Sequence, residues 1–236
     1  MNSISQTTIL VTCTFAMFSC GGTSGAQPHD MSAAQHEVTA ANEEKAASNH
    51  AERYKATAQE SKQTCTKGNT CWKSMENPTE AHKADAEKHQ KMAADHRAAA
   101  KSLRDAEASA CVGISDADRD MSPFNHREDI SQVKQHVVEG RTGKSATSVT
   151  TGSDILFRAV PGMTAEWLQR VVDCHVARAS SVGHNMPEMN YCPLELKHIS
   201  AKVSSTGDGF AVAVTSDDSD TVKDIIRRAD ALVAHR

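Results

Sequence analysis

Histidine recurs every seven residues in two separate stretches of the chain. These series consist of His29, His36, Glu43 and His50, followed by His82, His89 and His96. Alanine lies four residues after most members, as Ala33, Ala40, Ala47, Ala86, Ala93 and Ala100. Imidazole and carboxylate bind zinc, copper or nickel, so these positions are candidate metal ligands. Alternating steps of four and three residues are typical of a coiled-coil seam, built here from alanine and histidine.

Two helices joined by a short loop lie side by side in opposite directions. A turn near residues 68–69 places His50 opposite His89 and Glu43 opposite His96. We therefore predict a zinc or copper site formed by His50, His89, His96 and Glu43. Alternatively, the small alanines allow close approach of the helices, and the histidines only fill the remaining space. Such a seam also responds to pH between about 5 and 7.

A second set of candidate ligands lies in the C-terminal third of the chain. It consists of Cys174, His175, His184, Met186, Met189 and Cys192. Thiolate and thioether ligands select Cu(I), and imidazole binds copper in either oxidation state. The alternative is a Cys174–Cys192 disulfide that joins a helix to the following loop. Cys65 and Cys71, six residues apart, predict another disulfide at the tip of the helical hairpin.

The elements that carry these residues indicate an α+β fold in two parts. Residues 28–139 form an N-terminal antiparallel helical hairpin domain, with helices over 28–60 and 78–110 and a short third helix over 122–138. A linker over 140–153 leads to a small α/β domain over 154–236. Its expected elements are a strand at 155–160, a helix at 164–181, strands at 199–205 and 209–215, and a closing helix at 217–235. This β-α-β-β-α order resembles the ferredoxin-like plait without its last strand.

The N-terminus has the pattern of an export signal. An apolar run, Ile9–Phe18, is followed by small residues. The sequence MFSC, Met17–Cys20, resembles the lipobox of bacterial lipoproteins, which implies that Cys20 is acylated and becomes the first mature residue. Residues 1–19 are then a signal peptide and residues 20–27 a lipidated tether. Simple secretion, with cleavage near Ser19 or Ala26, is the alternative.

This resemblance implies a location in the cell envelope, and Gly21 after the cysteine favours anchoring to the outer membrane facing the periplasm. The periplasm is oxidising, so disulfides persist there. The membrane is therefore one expected partner, through the N-terminal lipid, and an envelope protein is another.

Charge and motifs narrow the functional classes. The net charge is −4, and the 26 basic residues form no run, which argues against a nucleic-acid partner. No GxSxG, HExxH, P-loop or GxGxxG motif is present, so we do not expect an enzyme. The sequence favours a cell-envelope lipoprotein that binds or buffers copper or zinc. The alternatives are a structural or partner-binding lipoprotein without metal, and a pH-responsive envelope sensor.

Overall fold

The computed structural model describes residues 31–68, 70–142 and 145–234, and it contains both helices and sheets, which confirms the α+β class. Its helices and strands are, in chain order, α1 (Ala33–Arg53), β1 (Glu60–Cys65), β2 (Cys71–Glu76), α2 (Glu80–Ala110), α3 (Asp116–Asp120), β3 (Ile130–Thr142), β4 (Ser145–Arg158), α4 (Ala165–Ser181), β5 (Ser200–Thr206), β6 (Gly209–Thr215) and α5 (Ser219–Val233). Within these ranges, no helix is both long and apolar enough to span a bilayer.

Helix α1 begins at a capping box and packs along α2 through alanine. The Ser32 hydroxyl accepts a hydrogen bond from the Gln35 amide, and the Gln35 side chain accepts one from the Ser32 amide. The contact between the helices buries the alanines of both heptad series, which are Ala33, Ala40, Ala47, Ala86, Ala93 and Ala100. The prediction that the first helix extends to residue 60 is wrong, because α1 ends at Arg53 and residues 54–59 connect it to a strand.

A β-hairpin lies where the sequence predicts a short loop between the two helices. Strands β1 and β2 pair antiparallel, with Cys65 opposite Cys71, and these cysteines form the predicted disulfide. All but one of the twelve strand residues are exposed, including Trp72. An isolated two-stranded hairpin is marginally stable in water. The disulfide therefore helps to hold this hairpin in shape.

The C-terminal sheet has four antiparallel strands in the order β3-β4-β6-β5. The predicted third helix over 122–138 and the linker over 140–153 are wrong. Ser122 caps only a 3-10 turn, Pro123–Asn125, and the chain then enters β3, which pairs with β4. The segments that form β3 and β4 are rich in valine, threonine or serine, and the β-branched valine and threonine favour strands. The sheet therefore begins at Ile130, well before the predicted boundary at 154.

The main core lies between this sheet and helices α4 and α5. Its fully buried side chains include Phe124, Ile130, Ile155, Leu168, Val172, Leu194, Val212, Val214, Ile225 and Leu232. Burial alternates along β6, so one face of the sheet meets the helices. Gly152 is required where β4 pairs with β6, because a Cβ atom there would lie 1.9 Å from the Val214 carbonyl oxygen.

A disulfide and an ion-pair group join the helical hairpin to the sheet domain. Cys111, at the end of α2, is bonded to Cys174 of α4. Ile114 and Val171 pack with this disulfide in a small apolar cluster. Arg178 of α4 forms ion pairs with Glu107 and with Asp120. The base of the helical hairpin is therefore fixed to α4, and its other end carries the β-hairpin.

Candidate metal site

Helices α1 and α2 face each other through three layers that contain histidine. The Nδ1 atoms of His36 and His96 are 2.9 Å apart. In the next layer, Nδ1 of His89 lies 2.5 Å from a carboxylate oxygen of Glu43. In the layer nearest the β-hairpin, Nδ1 of His50 lies 3.2 Å from Nδ1 of His82. Residue numbers rise along α1 as they fall along α2, so the two helices run in opposite directions.

This register differs by one heptad from the predicted one, in which His50 faces His89 and Glu43 faces His96. The connections at the two ends of the β-hairpin are unequal: residues 54–59 link α1 to β1, and only residues 77–79 link β2 to α2. The longer first connection displaces the pairing of the helices relative to the turn. The heptad repeat leaves the same residue types in contact, because a shift of seven residues again matches histidine or glutamate with histidine.

The layer nearest the β-hairpin brings together three metal-binding side chains. Asp85 lies one helical turn after His82 on α2, and its carboxylate oxygen is 3.5 Å from Nδ1 of His50. The donor atoms of His50, His82 and Asp85 all lie within 4.8 Å of one another. Zinc bonds of about 2.0–2.2 Å in tetrahedral geometry imply ligand separations of about 3.4 Å. The distances of 3.2 and 3.5 Å from His50 match that spacing.

The structure assembles the predicted seam site only in part. Glu43, His50 and His89 are together, since the His50 and His89 rings stack with centroids 5.4 Å apart and His89 contacts Glu43. The prediction fails for His96, which pairs with buried His36 instead. The predicted four-ligand site includes neither His82 nor Asp85. The signal was present, because His82 belongs to the heptad series and Asp85 follows it by three residues.

The six predicted copper ligands of the C-terminal domain do not converge. The predicted Cys174–Cys192 disulfide is wrong: Cys174 is bonded to Cys111 and has no thiol left for metal. Nδ1 of His184 lies 2.7 Å from the backbone oxygen of Glu195. Met186 donates its backbone amide to the Glu195 carboxylate at 2.5 Å, and Met189 packs against the main core. Spacing in the sequence groups these six residues, but in the fold most of them contact other parts of the chain, and His184 and Met186 both bond to Glu195.

Cys192 and His175 are the two members of that set that remain in contact. The Cys192 sulfur lies 3.7 Å from Nε2 of His175 and accepts a hydrogen bond from the Ser122 hydroxyl at 3.1 Å. Burial raises the pKa of the Cys192 thiol to about 11. Burial, with a smaller contribution from Arg178, lowers the pKa of His175 to about 4. Both groups are therefore neutral at pH 7, which disfavours a nucleophilic thiolate–imidazolium pair.

A second group with metal-binding side chains consists of His126, Glu128 and Asp129 near the 3-10 turns that precede β3. His126 and Glu128 are mostly exposed, so water competes strongly for any ion there. The predicted lipidation site, Cys20, and the first histidine of the series, His29, lie outside the described residues.

No protein-family model, curated protein or solved structure gives a significant match to this chain.

Proposed function

We propose that this protein is a cell-envelope lipoprotein that binds zinc or copper reversibly on the seam of its helical hairpin. The observation that carries the proposal is the group formed by His50, His82 and Asp85, whose donor separations from His50 suit one tetrahedral ion. Export and anchoring through Cys20 rest on the lipobox-like sequence MFSC.

The composition of this site favours exchange of the ion over permanent burial. Three side chains supply ligands, which leaves a fourth position for water or for a ligand from a donor molecule. The side chains of His50 and Asp85 are 25% and 49% exposed, so the ion has a path to solvent. A structural zinc site is usually closed by four protein ligands. An open site with three ligands is better suited to buffering or transferring a metal ion.

The contact between the His50 and His82 rings also favours a cation between them. Two Nδ1 atoms 3.2 Å apart can share one proton, because one nitrogen must accept while the other donates. Protonating both rings would place two positive charges in contact. A metal ion removes this conflict, since both nitrogens then act as neutral ligands, and the Asp85 carboxylate offsets part of the ion's charge.

The direct experiment is a calorimetric titration of the mature, metal-free protein with zinc. Elemental analysis of the zinc-loaded protein after dialysis then gives the number of bound ions. We expect one tightly held ion per chain and at least tenfold weaker binding in His82→Gln and in Asp85→Asn. His136→Gln is a matched control, because His136 forms a similar pair with Asp154 at 2.8 Å but has no second imidazole. Zinc binding that is absent, or equal in all four proteins, would contradict the proposal.

A pH-responsive seam is the second candidate function, and the two histidine–histidine layers favour it. Protonating both rings of the His36–His96 layer or of the His50–His82 layer creates repulsion between α1 and α2. We expect this alternative to appear as loss of helicity between about pH 7 and 5 in the absence of metal. Unchanged circular dichroism over that range would argue against it and would leave the metal proposal intact.

We also infer that the C-terminal domain is a rearranged ferredoxin-like plait. In that fold, the strand after the second helix pairs beside the first strand. Here β4 is the first strand of the expected series. The place beside it is occupied by β3, which precedes β4 in the chain. The sheet order and the shared core with α4 and α5 support this assignment. It concerns the fold alone and carries no function.

A further inference from the structure

A cavity of about 230 Å³ lies where the segment after α2 meets α4 and the end of β4. It is separate from the seam site, which lies toward the opposite end of α2. Most of its wall is apolar, and Met121, Met163 and Trp167 are among the side chains that form it. The Thr164 hydroxyl accepts the backbone amide of Trp167 at 3.1 Å, so the first turn of α4 fixes the position of this residue. Trp167 is 37% exposed, so a ligand can reach its ring.

Two carboxylates add negative charge to this apolar wall. Asp118 and Asp129 both line the cavity and are half-buried. Asp118 accepts a hydrogen bond from the Ser115 hydroxyl at 2.7 Å. Its neighbours Asp116 and Asp120 each form an ion pair with arginine, whereas Asp118 and Asp129 form none with lysine or arginine in the described part of the chain.

No lysine or arginine from the described ranges lines the cavity itself. His126 lines it too, and its ring contacts the Glu128 carboxylate at 3.3 Å. A half-buried carboxylate is screened less by solvent than an exposed one, so its attraction for a cation is stronger. The cavity therefore combines apolar surface, an accessible indole and two carboxylates that have no lysine or arginine partner within the described ranges.

We propose that this cavity binds a small organic cation, an ammonium group that carries an alkyl or aryl substituent. The apolar substituent occupies the wall formed with Met121 and Met163, whose flexible thioethers adapt to its shape. The ammonium group lies near Asp118 and Asp129, and the indole of Trp167 provides a cation–π contact. A bare metal ion would leave the apolar wall empty, and a neutral apolar molecule would leave the carboxylates uncompensated.

Tryptophan fluorescence gives a direct test, because the chain has two tryptophans and Trp72 lies in the distant β-hairpin. In Trp72→Phe, the signal comes from Trp167 alone. The probe is phenethyltrimethylammonium chloride, and the neutral comparison is 4-phenyl-1-butanol. We expect saturable quenching by the cation, weakened by added salt, and about tenfold weaker binding of the alcohol. Equal affinity for both compounds, or quenching by the cation that never saturates, would overturn the proposal.

Charge-removing variants test whether the carboxylates are responsible. Asp118→Asn keeps an oxygen that can accept the Ser115 hydroxyl, so its local structure should persist. Combined with Asp129→Asn in the Trp72→Phe background, it should weaken cation binding at least tenfold and leave binding of the alcohol unchanged. Asp217→Asn combined with Asp230→Asn, in the same background, removes two charges from exposed sites that do not line the cavity and serves as the control.

Equal loss of affinity in the cavity double variant and in the Asp217→Asn/Asp230→Asn control would show that only net charge matters, and it would overturn the proposal. Zinc is titrated against the bound probe in addition, because His126 and Asp129 both line the cavity. Stoichiometric displacement of the probe by zinc would assign the cavity to a metal ion instead. These outcomes do not depend on whether the seam binds metal.

Discussion

Replacing His50 and His82 together by leucine should have opposite effects on stability without and with metal. Without metal, the change removes two polar rings from the seam and adds apolar side chains at half-buried positions. Full burial of a leucine contributes about 1.5–3 kcal/mol, and His50 keeps 25% of its side chain exposed. Allowing for the burial that the histidines already provide, we expect the free energy of unfolding to rise by about 1–2 kcal/mol.

With metal, the order of stability should reverse. At a free zinc concentration of one hundred times the dissociation constant, one site adds about 2.7 kcal/mol to the wild type. For a chain of this size, 1 kcal/mol corresponds to about 2–4 °C in melting temperature. The wild type should therefore melt roughly 5–10 °C higher with zinc than without it. The double variant should show no shift, because it retains only Asp85 of the three ligands.

The assay is thermal unfolding followed by circular dichroism at 222 nm, in chelator and in buffered zinc. The double variant His36→Leu plus His96→Leu is the matched control, since it removes another histidine pair from the seam and leaves His50, His82 and Asp85 in place. We expect this control to keep the zinc shift. The reasoning would be refuted if the melting temperature of the wild type did not change with zinc or copper. It would also be refuted if the His50/His82 variant kept the full zinc-induced shift.

Three further predictions concern other parts of the chain. Cys20→Ser should abolish membrane association and leave the uncleaved precursor; normal fractionation and cleavage of that variant would reject the lipoprotein assignment. Folding should become less favourable as pH falls from 6.5 toward 4, because the buried imidazole of His175 has a pKa of about 4 in the folded state and about 6.5 when unfolded. This contribution is complete above pH 6.5 and lost below pH 4, and it amounts to about 3 kcal/mol. His175→Gln should therefore show a flatter stability profile in denaturant titrations between these pH values, and an unchanged slope would contradict the assignment. The Cys192 thiol is buried and its pKa is raised to about 11, so it should resist iodoacetamide at pH 8 until the protein is unfolded; rapid labelling of the native chain would show that the site opens.

Several features of the candidate site follow from the sequence by itself. Heptad spacing identifies which residues of α1 and α2 face each other, since a period near 3.5 places alanine and histidine on one stripe. All the histidines of both series within the described residues do lie on that seam. The pairing across the seam does not follow, because a heptad pattern shifted by seven residues looks the same. The unequal connections around the β-hairpin decided that His50 meets His82.

In the C-terminal domain, too, some elements follow from the sequence and others do not. Local patterns predicted α4, β5, β6 and α5 to within a few residues, because their apolar periodicity and turn residues are short-range signals. The predictions of a helix over 122–138 and a linker over 140–153 are wrong, because the strand preference of these residues becomes clear only when β3 pairs with β4.

The cysteines show what only the tertiary structure decided. Cys65 and Cys71 are close in sequence, so their bond was predictable, whereas Cys174 pairs with Cys111 across 63 residues. Sequence patterns specify which side of a helix or strand is buried. Which surface covers it depends on the lengths of the connections and on how the elements pack, and those are properties of the whole fold.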